Sequence, residues 1–168
     1  MKYTVRRLNL GEADLYRSVR LESLRESPEA FSSTYESALS RAEDSWRAQA
    51  DASASGSDRA TFIVLADQLI GLAALYRDHD RPDEGELIQV WVSPEARGGQ
   101  VATDLMNAIF AWAASNGFET IRAEVTRNNS RALRFYEKCG FVRIAPDDIS
   151  GEPSCMLTKS VLRCPAYE

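Results

Sequence analysis

Between Val90 and Ala102 the chain reads Val90-Trp91-Val92-Ser93-Pro94-Glu95-Ala96-Arg97-Gly98-Gly99-Gln100-Val101-Ala102. An apolar run enters a turn with two glycines and one arginine, and a helix pattern follows directly. Backbone N–H groups at the open, positive end of a helix bind phosphate or pyrophosphate. The amides from Gly98 to Thr103 are the donors, and Arg97 offers a neutralising charge. Gln100 keeps its N–H, so the turn survives if its φ is negative; a positive φ there brings strain and weaker binding. A second group of interest is Asp78-His79-Asp80-Arg81-Pro82-Asp83-Glu84. Its acids either attract a cationic amine or form a solvated hairpin turn, with His79 exposed. Cys139, Cys155 and Cys164 are odd in number, form no CxxC pair and have one histidine beside them, which is a poor metal set.

The elements that position these residues follow from periodicity. Tyr3 to Leu8 alternates as a strand. Ala13 to Arg25 reads as a helix in which Leu15, Tyr16 and Val19 cluster while Leu21 and Leu24 point elsewhere. Ser40-Arg41-Ala42-Glu43 has capping-box spacing, which predicts a helix start carrying Trp46. The small polar run Asp51 to Asp58 reads as a flexible loop. Thr61–Ala66 and Leu69–Tyr76 form a predicted hairpin, and Leu87–Val92 a third strand. A helix follows from Val101 to Ser115, with Val101, Leu105, Ala108, Ile109 and Trp112 on one face, ended by Gly117. Thr120–Thr126 is a strand, and Asn129 is placed to cap a helix over Arg131 to Lys138, with Ala132, Phe135, Tyr136 and Cys139 on one face. Phe141–Ile144 and Cys155–Val161 complete the strands. The strand–helix–strand unit from Leu87 to Thr126 predicts a right-handed crossover and two parallel strands. The expectation is one α/β domain over residues 1–168: a twisted, mostly antiparallel mixed sheet with a parallel β-α-β core and helices on both faces.

A formal net charge of −5 disfavours binding nucleic acid through its phosphates. The N-terminus lacks an apolar signal core, and no apolar run is long enough to span a bilayer. The reading is a reduced, cytoplasmic setting without membrane or metal. A P-loop nucleotide site is excluded because the turn lacks Gly-Lys-Ser/Thr.

Two motifs in register resemble the GCN5-related N-acetyltransferase (GNAT) family, over nearly the whole chain. The family's first signature is Arg/Gln-x-x-Gly-x-Gly/Ala; here Arg97 and Ala102 match, and Gln100 stands in place of the middle glycine. The second, Asn-x-x-Ala-x-x-apolar-Tyr followed by Gly-Phe, is complete in Asn129, Ala132, Phe135, Tyr136, Gly140 and Phe141. The resemblance implies acetyl-CoA as co-substrate, with its pyrophosphate on Arg97, Gly98, Gly99, Gln100, Val101, Ala102 and Thr103. Its pantetheine arm would add like a strand along Val90, Trp91 and Val92. Asn129 resembles the residue that contacts the coenzyme arm, although the helix cap competes for the same side chain. Tyr136 matches the family's general acid, near the coenzyme sulfur, or is a core aromatic. Glu86 is the candidate general base: alternation puts it with Ile88, Val90 and Val92, where burial would raise its pKa; otherwise it is a solvated strand-end acid. Transfer is direct, to a primary amine of a small molecule or protein, with no cysteine at a nucleophile position and Cys139 expected buried. The resemblance also admits a homodimer. A non-catalytic acyl-CoA-binding or regulatory protein of the same fold is the alternative, supported by Gln100. The acceptor determinants are expected between Leu24 and Tyr35.

Overall fold

The computed structural model describes residues 1–144 and 154–161; Cys164 lies outside them. Seven strands, β1 (Thr4–Arg7), β2 (Arg59–Leu65), β3 (Leu69–Arg77), β4 (Glu84–Val92), β5 (Thr120–Thr126), β6 (Val142–Arg143) and β7 (Ser154–Ser160), pair in the order β1-β2-β3-β4-β5-β7-β6. Five α-helices accompany them: α1 (Ala13–Glu26), α2 (Tyr35–Leu39), α3 (Glu43–Ala52), α4 (Val101–Ser115) and α5 (Ser130–Lys138). The sheet is mixed. β4 and β5 run parallel, with Glu86 opposite Arg122 and Leu87 opposite Ala123, as the crossover rule requires. β1–β2, β5–β7 and β6–β7 are antiparallel.

The chain divides into two compact units that interleave in sequence, Met1–Leu75 with Gln89–Ile109, and Tyr76–Ile88 with Phe110–Glu168. In the first, Leu8, Tyr16, Val19, Leu24, Trp46, Ile63, Leu72 and Trp91 form a buried cluster. α1 contributes to it through Tyr16, Val19, Arg20, Ser23 and Leu24, which is one stripe at helical spacing. Leu24 therefore shares the face of Tyr16 and Val19. The stripe is hard to see in the sequence because Arg20 and Ser23 occupy two of its positions. The Ser23 hydroxyl donates to Arg20 O at 2.7 Å, and the Arg20 guanidinium lies 4.7 Å from the Phe31 ring centroid.

Two local expectations are corrected in this unit. Ser40 closes α2 rather than opening α3, and α3 starts after Ala42 with no side-chain cap. The missed helix, α2, has its own cap: Thr34 accepts from the Ser37 N–H at 3.1 Å. The run from Asp51 is not a loose loop at its start, because α3 continues to Ala52 and Ser53 is buried. Ser53 O accepts from Arg7 Nε at 3.1 Å and from the Thr61 N–H at 3.2 Å.

In the second unit Phe118, Ile121, Ala123, Val125, Leu133, Tyr136, Phe141 and Leu157 are buried. The Tyr136 ring meets Phe141 edge-on at 5.3 Å. α5 turns Leu133 and Tyr136 inward, whereas Ala132, Phe135 and Cys139 are half-buried, so the inward face is displaced from the expected one.

Candidate active site

The turn after β4 is built from short-range geometry. Pro94 starts a single 3₁₀ turn closed by the Ala96 N–H to Ser93 O at 3.0 Å and the Arg97 N–H to Pro94 O at 3.3 Å. Gly98 then reverses the chain with φ +80, a conformation that side chains rarely adopt. Gln100 is not among the residues with positive φ, so the departure from the glycine pattern carries no backbone strain. The first bond of α4 runs from the Asp104 N–H to Gln100 O at 2.9 Å. The amides of Val101, Ala102 and Thr103 thus precede the helix ladder, and Gly98, Gly99 and Gln100 are exposed beside them. A Cβ built on Gly98 meets nothing within 4 Å, and one on Gly99 meets only Ala96 O at 3.9 Å. The outer side of the turn is open, and its donor set fits a pyrophosphate group.

The side chains beside the turn are already engaged. Arg97 donates from Nε to Val92 O at 2.9 Å and from a terminal nitrogen to Glu26 Oε2 at 2.6 Å. The same carboxylate oxygen accepts from Trp91 Nε1 at 2.8 Å and from the Ser27 hydroxyl. Burial acts to raise the Glu26 carboxyl, but the bonds from Ser27, Trp91 and Arg97 outweigh it and hold the group below its ordinary value. Arg97 is therefore not a free cation awaiting an anion. Trp91 is 4% exposed and packs in the core, so its side chain is structural and only its backbone is left for a ligand. The Val92 carbonyl is taken by Arg97, while Val90 is half-buried. On α4, Asp104 accepts from Gln100 Nε2 at 3.2 Å and from the Tyr3 hydroxyl.

Gln89 has φ 59 inside β4, the one non-glycine residue with positive φ among those described. Beyond it alternation fails: Trp91 and Val92 are both buried. The Tyr16 hydroxyl, in a side chain 1% exposed, donates to Gln89 Oε1 at 2.8 Å.

Tyr136, Asn129 and Glu86 belong to the second unit. Asn129 Oδ1 accepts from the Ala132 N–H at 3.2 Å, so it is the cap of α5. Two turns later on that helix, Tyr136 is buried. Burial first, and Cys139 second, push its phenol well above the ordinary value. Cys139 is half-buried rather than buried, and desolvation raises its thiol despite Lys159 and Lys138 nearby. Glu86 is exposed. The expected burial is not met, because the inward positions of this part of β4 are Gly85 and Leu87.

Two of the acidic loop's four carboxylates, Asp78 and Glu84, are answered by arginines. Asp78 accepts from the N–H groups of Asp80 and Arg81 at 2.9 and 3.2 Å and from Arg122 at 2.6 Å. The Asp80 amide, then the Arg81 amide and the Arg122 guanidinium, hold the Asp78 carboxyl low against desolvation. Glu84 lies 3.6 Å from Arg81 and 3.5 Å from Arg122. His79 is exposed, as expected. Among the described residues no group of three His, Cys, Asp or Glu is placed to hold a metal, and no helix is long and apolar enough to cross a membrane.

Sequence reasoning missed Glu26, Tyr16 and Gln89. Two signals were available. Gln89 is the polar residue in an apolar run, and Glu26 places a carboxylate at the C-terminal end of α1, where the helix dipole disfavours it unless a cation answers.

Comparison with known proteins bears on the family and the fold. The L-2,4-diaminobutyric acid acetyltransferase of Methylotuvimicrobium alcaliphilum is 32% identical over 81 residues, 48% of this chain and 47% of that protein. The chain spans just under half the length of the curated relatives it matches, 47% and 46%. Among solved structures, a GNAT-family acetyltransferase from Streptococcus pneumoniae superposes with a TM-score of 0.80 at 14% identity, covering 96% of this chain and all (100%) of that one. The GNAT domain of PAT from S. lividans gives a TM-score of 0.73 at 18% identity, covering 93% and 89%. At such identities these likenesses establish the fold alone. The model of the acetyltransferase (GNAT) family matches residues 21–141, most of the chain and both motifs, and the chain belongs to that family.

Proposed function

We propose that this chain is an acetyl-CoA-dependent N-acetyltransferase that transfers an acetyl group directly to a primary amine of a small molecule or protein. The observation that carries this reading is the stretch from Gly98 to Thr103, an exposed turn at Gly98–Gln100 running into the first residues of α4, whose amides precede the helix ladder and whose substituted position, Gln100, is unstrained. Acetyl-CoA, when bound, supplies the acetyl group as a thioester activated toward amines. The amides of Gly98 to Thr103 hold the pyrophosphate, and backbone groups of β4 from Val90 to Val92 align the pantetheine arm, less the Val92 carbonyl that Arg97 occupies. Asn129 contributes to coenzyme binding chiefly by starting α5, since its carbonyl oxygen serves the cap.

The ammonium loses one proton to become the attacking amine; as the amide forms and the C–S bond breaks, its nitrogen loses a second, which restores the one that the sulfur takes from Tyr136. Glu86, exposed on β4, takes the first proton through a water and returns it to solvent. Tyr136 holds its proton throughout the neutral range and offers it to the leaving sulfur. A phenol this weakly acidic acts mainly as a hydrogen-bond donor to the developing thiolate, and the proton moves late. The M. alcaliphilum relative's name makes small diamines and amino acids the first acceptors to try. The non-catalytic alternative keeps no observation in its favour beyond the substituted glycine.

The test is a calorimetric titration with acetyl-CoA beside CoA. Dissociation constants at or below about micromolar, some −8 kcal/mol, are expected, followed by turnover on an amine panel. Absence of binding at millimolar ligand overturns the reading.

A further inference from the structure

We propose that Glu26 is an affinity-setting positioning residue for the coenzyme turn: its carboxylate balances the Arg97 guanidinium, so that the turn binds pyrophosphate through its amides and releases product readily. The inference rests on reading the turn as the coenzyme site. Its basis is local to the first unit. Arg97 is anchored at both ends of its guanidinium, by Val92 O at 2.9 Å and Glu26 Oε2 at 2.6 Å. Glu26 is in turn fixed by Trp91 Nε1 at 2.8 Å and by the Ser27 hydroxyl. The two charged side chains are 31% and 23% exposed, enough for the pair to be felt at the turn and too little for solvent to screen it fully. A carboxylate at the C-terminal end of α1 opposes the helix dipole, so its placement is explained by Arg97 and Trp91 and not by the helix. The pair contributes geometry to the turn and almost no net charge.

A bystander carboxylate and a balancing one give opposite results in a double-mutant cycle read by calorimetry with acetyl-CoA and CoA. Glu26→Gln keeps an amide oxygen for Trp91 and Arg97 but removes the negative charge. Both ligands are expected to bind about three- to tenfold more tightly, the size of one partly screened charge. Arg97→Gln leaves Glu26 uncompensated and weakens binding by a similar factor, about three- to tenfold. The double variant returns to within about twofold of the parent, the sum of two opposite charge effects on the ligand. A merely structural role predicts weaker binding in every variant and no change in salt response. Under the proposal, added salt improves Arg97→Gln relative to the parent, because it screens repulsion from Glu26. That measurement stands even if Glu26→Gln does not fold. If the parent binds acetyl-CoA and Glu26→Gln binds no more tightly, or the double variant behaves like Arg97→Gln, the proposal is wrong while the coenzyme reading survives. A parent that binds neither ligand overturns both.

Discussion

Substitutions at Gln89 should rank in the reverse of the order expected for an ordinary strand. In regular β structure Val is favoured, Ala less so, and Gly least. Gln89 holds φ 59, where an L-residue is disfavoured by about 1–2 kcal/mol and glycine is not. Its side chain also accepts the Tyr16 hydroxyl at 2.8 Å, a bond of net worth about 0.5–1.5 kcal/mol. Gln89→Gly removes both the strain and the bond and frees the unfolded chain, so it should lie within about 1 kcal/mol of the parent. Gln89→Ala keeps the strain and loses the bond, a destabilisation of about 0.5–1.5 kcal/mol. Gln89→Val adds a β-branched side chain at positive φ and should cost about 2–3 kcal/mol. The assay is urea unfolding at neutral pH, comparing midpoints at constant slope. If Gln89→Val is as stable as Gln89→Gly, the left-handed residue is not a real constraint and the break in β4 alternation needs another cause.

Other outcomes follow from the same geometry. Tyr136→Phe should lower turnover by about 10²-fold or more and leave the acetyl-CoA dissociation constant nearly unchanged; steady-state kinetics beside calorimetry decides, and intact turnover removes Tyr136 as the acid. Glu86→Gln should flatten the acidic limb of the pH–rate profile, whereas a retained limb assigns the base elsewhere. Gly71→Ala should destabilise by about 1–3 kcal/mol in urea, since overpacking strains a filled core; the added Cβ would stand 2.8 Å from Val64 Cγ2. Glu12, paired with Arg6 at 2.7 Å, and Glu26 are both held below their ordinary values. A carboxyl depressed in the folded state stabilises above its unfolded pKa, about 4.3, and that contribution is lost as pH falls through the folded value. Stability should therefore be level near neutrality and decline on acidification below about pH 4.5, less steeply in Glu12→Gln, as thermal unfolding across pH will report.

The elements that were legible carry their signals locally. α4 and β5 begin and end where read, because each has a clean period and a stop: Gly117, at φ +80, ends the region of α4. The parallel pairing of β4 with β5 follows from the helical crossover between them, which the element order alone gives. α2 escaped because five residues are too few for a period to emerge, and the capping pattern nearest to it was attached to the wrong helix. The buried stripe of α1 was obscured because Arg20 and Ser23 are polar by type yet inward by position, which hydrophobicity cannot anticipate when the polar groups find partners inside.

The site divides along the same line. Its backbone part was legible, because glycine spacing and the onset of α4 fix where free amides fall, and Gln100 changes a side chain without moving an N–H. Its charged part was not, because a sequence shows which charges exist and not which are answered. Arg97 reads as an open cation until Glu26, seventy-one residues earlier, is found on it. The loop from Asp78 reads either as an acidic lure or as a solvated turn until Arg81 and Arg122 are seen against Glu84 and Asp78. In both places an arginine and a carboxylate cancel locally, so long-range steering by these groups is weaker than their number suggests. On the proposed reading, specificity then lies in what the amides of the turn and the backbone of β4 hold at contact distance. A salt titration is the arbiter: the parent's coenzyme affinity should change little with ionic strength beyond what its net charge of −5 imposes, and a steep loss with salt would mean that Arg97 leaves Glu26 for the ligand.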